Sequence, residues 1–328
     1  MTAGDAPDLL AFVTNANFPG RRGAVGDYLE LGRFKRSHPN LSVRVIEFND
    51  PDIDVEWDGE SFRLTHPAFG TVDVGGASLV LYMPVSFEPE DVALRLSGGS
   101  GGAEAFFADR QWRVVSEFME AFLANHANCI NNPRQARSAC NKLIQMRQLR
   151  EAGLPTLPVR VAETTPSGAA GPLVCKNLSE GAIVSAGVVS STRLIGAPGE
   201  RLSRPAIFQP YVQSDHEMRF YVFGTEIIPV RLRRRMPEGV VDVREMQATM
   251  DDVSIAWDYE RHHFRMLEAC RLLGLRYAVI DAIPKDGELQ ILEVNPNGVW
   301  SNLPRPLADQ VSGRFHEFLR CSLTQRAS

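Results

Sequence analysis

Apolar and polar positions along this chain follow two periods, and the switches between them lay out its elements. Apolar runs at Leu9–Thr14, Leu41–Phe48 and Ala77–Met83 read as strands, with a polar, helix-compatible stretch through Arg36 after the first. Strands alternating with helices predict a small α/β lobe. Within it, Asp54–Trp57, an Asp58-Gly59 turn and Glu60–Leu64 predict a hairpin. From Glu104 to His126 the apolar residues Phe106, Phe107, Val114, Val115, Phe118, Phe122 and Leu123 recur at helical spacing, so one long helix is expected to lead into Cys129-Ile130. Asn131-Asn132-Pro133 then starts a second helix carrying Ala139, Leu143, Met146 and Leu149, which ends before Gly153 and Pro155.

A second lobe follows, with strands expected at Leu173–Lys176, Ile183–Val189 and Ala206–Gln209 and a connecting loop at Ser167–Gly171. The last lobe supplies Met218–Phe223, Glu226–Arg233 and a helix from about Ala256 to Leu273. The expected division is an N-terminal α/β domain over 1–127, a central subdomain over 128–207 and a C-terminal subdomain over 208–328. Gly98–Gly102 reads as a loop tip, because no lysine follows to make it a phosphate-binding loop.

The most informative pattern lies near the C-terminus. Tyr277–Ile283 and Leu289–Gly298 flank a Lys285-Asp286-Gly287 turn and carry three oxygen ligands, Asp281, Glu293 and Asn295. A three-residue loop ending in Gly287 would pair Pro284 with Glu288 and place all three on one face. A strict two-residue Asp286-Gly287 turn would send Asp281 to the opposite face. Carboxylate and amide oxygens that leave room for phosphate suit Mg²⁺. The spacing alone is equally compatible with an amphipathic surface hairpin, although Asn-Pro-Asn-Gly is an unusual sequel to an apolar strand.

Composition narrows the field. At 328 residues the chain can bury a substantial core. A net charge of −5 argues against a general nucleic-acid binder. No apolar run approaches a membrane span and Met1-Thr2-Ala3-Gly4-Asp5 lacks a secretory signal, so no membrane partner and a cytoplasmic location are expected. Five cysteines, none paired at metal-ligand spacing, read as reduced.

Taken in order, the chain offers Asn132-Pro133, Asn141-Lys142, a Gly153-Leu154-Pro155 exit, Lys176, a polar loop over 177–186, Gln209-Pro210-Tyr211-Val212, Glu217-Met218-Arg219, Asp242-Val243-Arg244 and Glu293–Gly298. In this order it resembles the ATP-grasp ligases, and within them the graspetide or microviridin-type maturases that install ester or amide crosslinks in ribosomally made peptides. The resemblance covers about residues 77 to 300. It implies an α/β (α+β) ATP-grasp fold with an N-terminal α/β lobe and the nucleotide bound between the central and C-terminal lobes. It implies ATP and two Mg²⁺ ions as cofactors and a precursor peptide with a leader and an acidic core as partner, and is compatible with a homodimer. Lys142 and Lys176 would contact phosphates, the loop over 177–186 would close on them, and Gln209, Pro210, Tyr211 and Val212 would read the adenine, with Glu217 nearby. Asp281, Glu293 and Asn295 would hold the metal.

Each piece alone has a plainer reading: Lys142 as a solvated charge, Lys176 as a strand end, Gln209–Val212 as an ordinary strand with Pro210 at an edge. Arg219 shares a face with Glu217 and suits a cleft wall or a plain ion pair. Arg244 is the stronger catalytic candidate, since a guanidinium can hold phosphate oxygens bidentately. Arg231 joins it through the basic run 231, 233, 234 and 235, as a docking strip for acidic substrate or as a solvated face. The adjacent histidines 262 and 263 read as exposed. Two departures stand out: Leu81-Tyr82-Met83-Pro84 replaces the family's Trp-Tyr-Arg-Arg, and no acidic residue follows Trp300 closely. Ligation of free amino acids, a silent peptide-binding module and phosphorylation ending at a stable phosphate ester remain the rivals.

Overall fold

The structure, a computed structural model, describes residues 6–13, 30–47, 52–83, 103–167, 171–178, 192–195, 199–233, 253–300 and 303–324. The expected strand at 183–189, the loop tip at 98–102, most of the loop over 177–186, Arg234, Arg235 and Asp242–Arg244 lie outside these residues. The chain divides into two compact units, one of Met1–Arg137, Val299–Ser301 and Ser312–Ser328, the other of Ser138–Gly298 and Asn302–Val311.

The first unit is built on β1 (Leu9–Val13), β2 (Val43–Glu47), β6 (Leu79–Tyr82) and β7 (Cys129–Ile130), parallel in the order β2-β1-β6-β7. β1 and β6 are buried at every position, which is why they read as unbroken apolar runs: a parallel sheet is covered on both faces. A second sheet joins β3 (Asp54–Trp57), β4 (Phe62–His66) and β5 (Gly70–Asp73). The expected hairpin is present, and a third strand extends it. Helices α1 (Leu31–Ser37) and α2 (Ala103–Leu123) complete the lobe. Phe62, Leu64 and Val72 of the small sheet share a core with Leu10, Phe12, Tyr82 and Met119, and Phe118 and Phe122 pack against it.

In the second unit, β8 (Arg160–Thr164), β9 (Leu173–Lys176), β10 (Arg193–Ile195) and β11 (Arg201–Pro210) form an antiparallel sheet ordered β10-β9-β11-β8. A five-stranded sheet follows from β12 (His216–Phe223), β13 (Glu226–Arg233), β14 (Val253–Ile255), β15 (Tyr277–Lys285) and β16 (Glu288–Asn295), ordered β14-β13-β12-β15-β16. The helix expected from Ala256 is a 3-10 turn, Trp257–His262, that continues as α5 (His263–Leu273) and ends at Gly274 in the left-handed region.

The helix expected after Asn131 is two helices, α3 (Pro133–Cys140) and α4 (Lys142–Glu151). Asn141 divides them. Its side chain accepts hydrogen bonds from the Leu143 and Ile144 amides, so the residue that interrupts one helix caps the next. The chain closes with α6 (Arg305–Thr324), and no described helix is long and apolar enough to cross a membrane.

Candidate active site

The β15–β16 hairpin turns on Asp286 and Gly287 alone, both at positive φ (52° and 81°), as a tight two-residue hairpin requires. The three-residue loop expected from the sequence is therefore corrected. By parity that turn should carry Asp281 to the wrong face. A bulge prevents it: Ala282 pairs with Ile291 but Asp281 pairs with Glu293, leaving Leu292 as the extra residue. Asp281 and Glu293 end up directly opposite each other, and Asn295 lies two residues on along the same face.

The neighbouring strand completes that face. Arg219 of β12 pairs with Asp281 of β15 and grips its carboxylate through both ends, Nε to Oδ1 at 2.6 Å and Nη2 to Oδ2 at 3.2 Å. Asp281 holds the guanidinium firmly protonated. Glu217 and Tyr221 alternate with Arg219 and so share its face. Burial pushes the Tyr221 phenol up to about 12, so it stays protonated at neutral pH beside Arg219.

From outside this sheet come two ammonium groups. Lys142 of α4 reaches Glu293 Oε1 at 3.5 Å. Lys176, at the end of β9, is desolvated, and burial lowers its pKa; Glu293, Glu217 and Asp281 work against that shift, while Lys142 adds to it. Three basic side chains, Lys142, Lys176 and Arg219, thus stand against three carboxylates, Glu217, Asp281 and Glu293. Gln209 is buried and shares the Lys176 face of its sheet, because Ile207 pairs with Lys176 and Gln209 with Val174. Tyr211 and Val212 lie just beyond Pro210, in the connection that joins the two sheets.

Arg231 is not brought to this face. It pairs with Met218, and therefore projects to the side that carries Phe220 and His263. There it bonds Asp258 and lies over the Tyr259 ring at 5.4 Å. Histidines 262 and 263, expected on the surface, are buried and half-buried, and desolvation lowers the pKa of both. Arg244 lies outside the described residues.

Two contributors, Tyr221 and Gln145, are not among the residues the sequence points to. Tyr221 was signalled only by its alternation with Arg219. Gln145 was signalled by a polar residue on the apolar face of α4. Gly298 lies across Val279, with its carbonyl accepting the Tyr277 hydroxyl, and a Cβ there would come within 3.0 Å of the valine side chain. Asn295 Oδ1 accepts the Asn297 amide at 2.8 Å, which folds Asn-Pro-Asn-Gly back over the sheet.

No described group of three His, Cys, Asp or Glu side chains forms an all-protein metal cage. Two carboxylates and an amide on one face, beside lysines able to hold phosphate, instead fit a hard cation that keeps water and phosphate in its shell.

The macrocyclase MdnC from Microcystis aeruginosa MRC, solved bound with precursor peptide MdnA, superposes over 95% of this chain and 99% of its own, with a TM-score of 0.73 at 16% identity. The chain has the ATP-grasp fold. A RiPP-associated ATP-grasp ligase from Chryseobacterium gregarium, in complex with ADP and a leader and core peptide, matches over 98% of each chain at 18% identity and a TM-score of 0.67. The ATP-grasp ligase PsnB, complexed with minimal precursor, Mg and ADP, covers 97% of this chain and 99% of its own at 17% identity and a TM-score of 0.67. No protein-family model and no curated protein matches the sequence. The connection at Tyr211-Val212 joins the sheet that carries Lys176 to the sheet that carries Glu217, Asp281 and Glu293.

Proposed function

We propose that this chain is an ATP-dependent, ADP-forming ligase that activates Asp or Glu side chains of a ribosomally made precursor peptide and closes ester or amide crosslinks within it. One observation carries the reading: Lys142, Lys176 and Arg219 converge with Asp281, Glu293 and Asn295, although they come from a helix and two different sheets. Full-length likeness to ATP-grasp structures solved with peptides, ADP and Mg supports it.

A substrate carboxylate oxygen attacks the γ-phosphorus, the bond to the β-phosphate oxygen breaks, and ADP leaves. A lysine amine or a serine or threonine hydroxyl of the same peptide then attacks the acyl carbon and expels phosphate; the nucleophile's proton goes to solvent, and the peptide loses the elements of one water. Lys142 and Lys176 hold the phosphate oxygens, and Arg219 locks Asp281 in the rotamer that presents it. Asp281, Glu293 and Asn295 are the proposed ligands of two Mg²⁺ ions, which when bound neutralise charge on the phosphate oxygens. Arg244 is proposed as the guanidinium that meets charge on the transferring group, and Gln209–Val212 as the adenine edge. The chain's own contribution is placement.

Mass spectrometry of an acidic, Thr-rich peptide encoded nearby, incubated with enzyme, ATP and Mg²⁺, tests the proposal. Loss of one water per bond with matching ADP supports it. An unchanged peptide, with ADP formed only in the presence of free amino acids, overturns it in favour of a small-molecule ligase.

A further inference from the structure

β16 is the last strand of its sheet, so the backbone groups on its outer side have no strand to pair with. That edge carries two of the three proposed metal ligands, and it is closed by other means. The Ile291 amide donates to the Pro155 carbonyl at 2.8 Å, giving the Gly-Leu-Pro exit a structural task. Further along, the side chain of Gln145 takes the place of a strand. Its Oε1 accepts the Val294 amide at 2.9 Å, and its Nε2 donates to the Val294 carbonyl at 2.6 Å and to the Ala139 carbonyl at 2.8 Å. Only one orientation of this amide is workable, since the flipped one would set its oxygen against two carbonyls. Gln145 is 1% exposed, so water cannot substitute for it.

Val294 is the residue between Glu293 and Asn295. Alternation sends its side chain into the core and theirs to the site, so the orientation of its backbone sets the direction of both ligands. Lys142 lies one helical turn before Gln145 on the same face of α4 and reaches Glu293, so the same latch fixes its distance from the carboxylate. We propose that Gln145 is a positioning residue for the cation site: its carboxamide serves as a one-residue strand that holds Glu293 and Asn295 in ligating geometry and ties Lys142 to them. This rests on the metal reading of the preceding section.

Binding of Mn²⁺ in the presence of a non-hydrolysable ATP analogue, followed by electron paramagnetic resonance, tests the two separately. Wild type binds and Glu293→Ala does not; if both bind alike, or wild type fails to bind, the metal reading falls and this inference with it. Gln145→Met keeps the side-chain length and helix propensity but removes all three hydrogen bonds. Its Mn²⁺ dissociation constant rises about tenfold or more, as loss of a ligand-orienting partner does. Leu149→Ala, which empties a buried position of the same helix, loses stability without moving the dissociation constant. If Gln145→Met does not fold, Gln145→Asn, which is too short to reach Val294, shows the same pattern. Wild-type Mn²⁺ affinity in the Gln145 variant, or an equal weakening in Leu149→Ala, overturns the proposal.

Discussion

Gly298→Ala is the sharpest perturbation the geometry offers. The glycine is not held at positive φ, so backbone strain is not the issue; proximity is. The new Cβ would collide with Val279 at its Cβ and Cγ2. Val279 cannot retreat, because it lies in β15 paired with Tyr221 on one side and Asn295 on the other. The turn over 296–298 must lift instead, stretching the hydrogen bond from the Tyr277 hydroxyl to the Gly298 carbonyl. Overpacking of this kind typically costs about 1–3 kcal/mol and the lost hydrogen bond about 1 kcal/mol, giving about 2–4 kcal/mol together. Urea unfolding reads that loss, and Mn²⁺ titration should show weakened binding, since Asn295 anchors the same turn. Gly287→Ala is the contrast: open space surrounds it, and only its positive φ is disturbed, so a loss of about 1–2 kcal/mol without a change in metal affinity is expected. Trimming Val279 to Ala removes Cγ2 but leaves the colliding Cβ, so the double variant recovers only part of the loss. A Gly298→Ala protein within about 0.5 kcal/mol of wild type, binding Mn²⁺ equally well, would refute the argument.

Glu293→Ala should lower Mg²⁺-dependent ATP turnover by about 100-fold or more while the protein stays folded by circular dichroism; normal turnover would remove Glu293 from the metal set. Lys176→Met removes a desolvated ammonium, so the ligand-free variant should melt no lower than wild type yet lose the stabilisation that ATP confers, about 2.7 kcal/mol at a hundredfold excess over Kd. The pH dependence has a definite sign. With the folded pKa of Lys176 below its ordinary value of 10.5, both states are protonated at low pH and the fold bears the burial cost. As pH rises through the folded pKa toward 10.5, the unfolded chain holds more protons and wild type gains on Lys176→Met; a constant difference in melting temperature would contradict this. Arg231→Met, on the opposite face, should change turnover less than about threefold and cost about 1 kcal/mol through the lost contacts with Asp258 and Tyr259. A collapse of kcat with intact stability would return Arg231 to the site.

The sequence by itself determined the parts and their order: the unbroken apolar strands of the first lobe, Lys142 on a helix, Lys176 at a strand end, and the acid-bearing hairpin. Such features are local, set by periodicity, capping and turn chemistry within a few residues. Which faces meet was decided by tertiary structure, because facing depends on register between strands, and register is a property of pairs. The Asp286-Gly287 turn taken alone would have parted Asp281 from Glu293. The bulge at Leu292 reunites them, and it sits where Pro155 and Gln145 hold the outer edge of β16, well away from the turn in sequence. The face of Arg231 was open for the same reason: a basic run looks continuous in sequence, whereas on a strand alternate members point to opposite sides, and only the pairing with Met218 shows which side is which. The desolvation that lowers the pKa of Lys176 likewise exists only in the folded chain, where Glu293, Glu217 and Asp281 of the other sheet and Lys142 of α4 act on it.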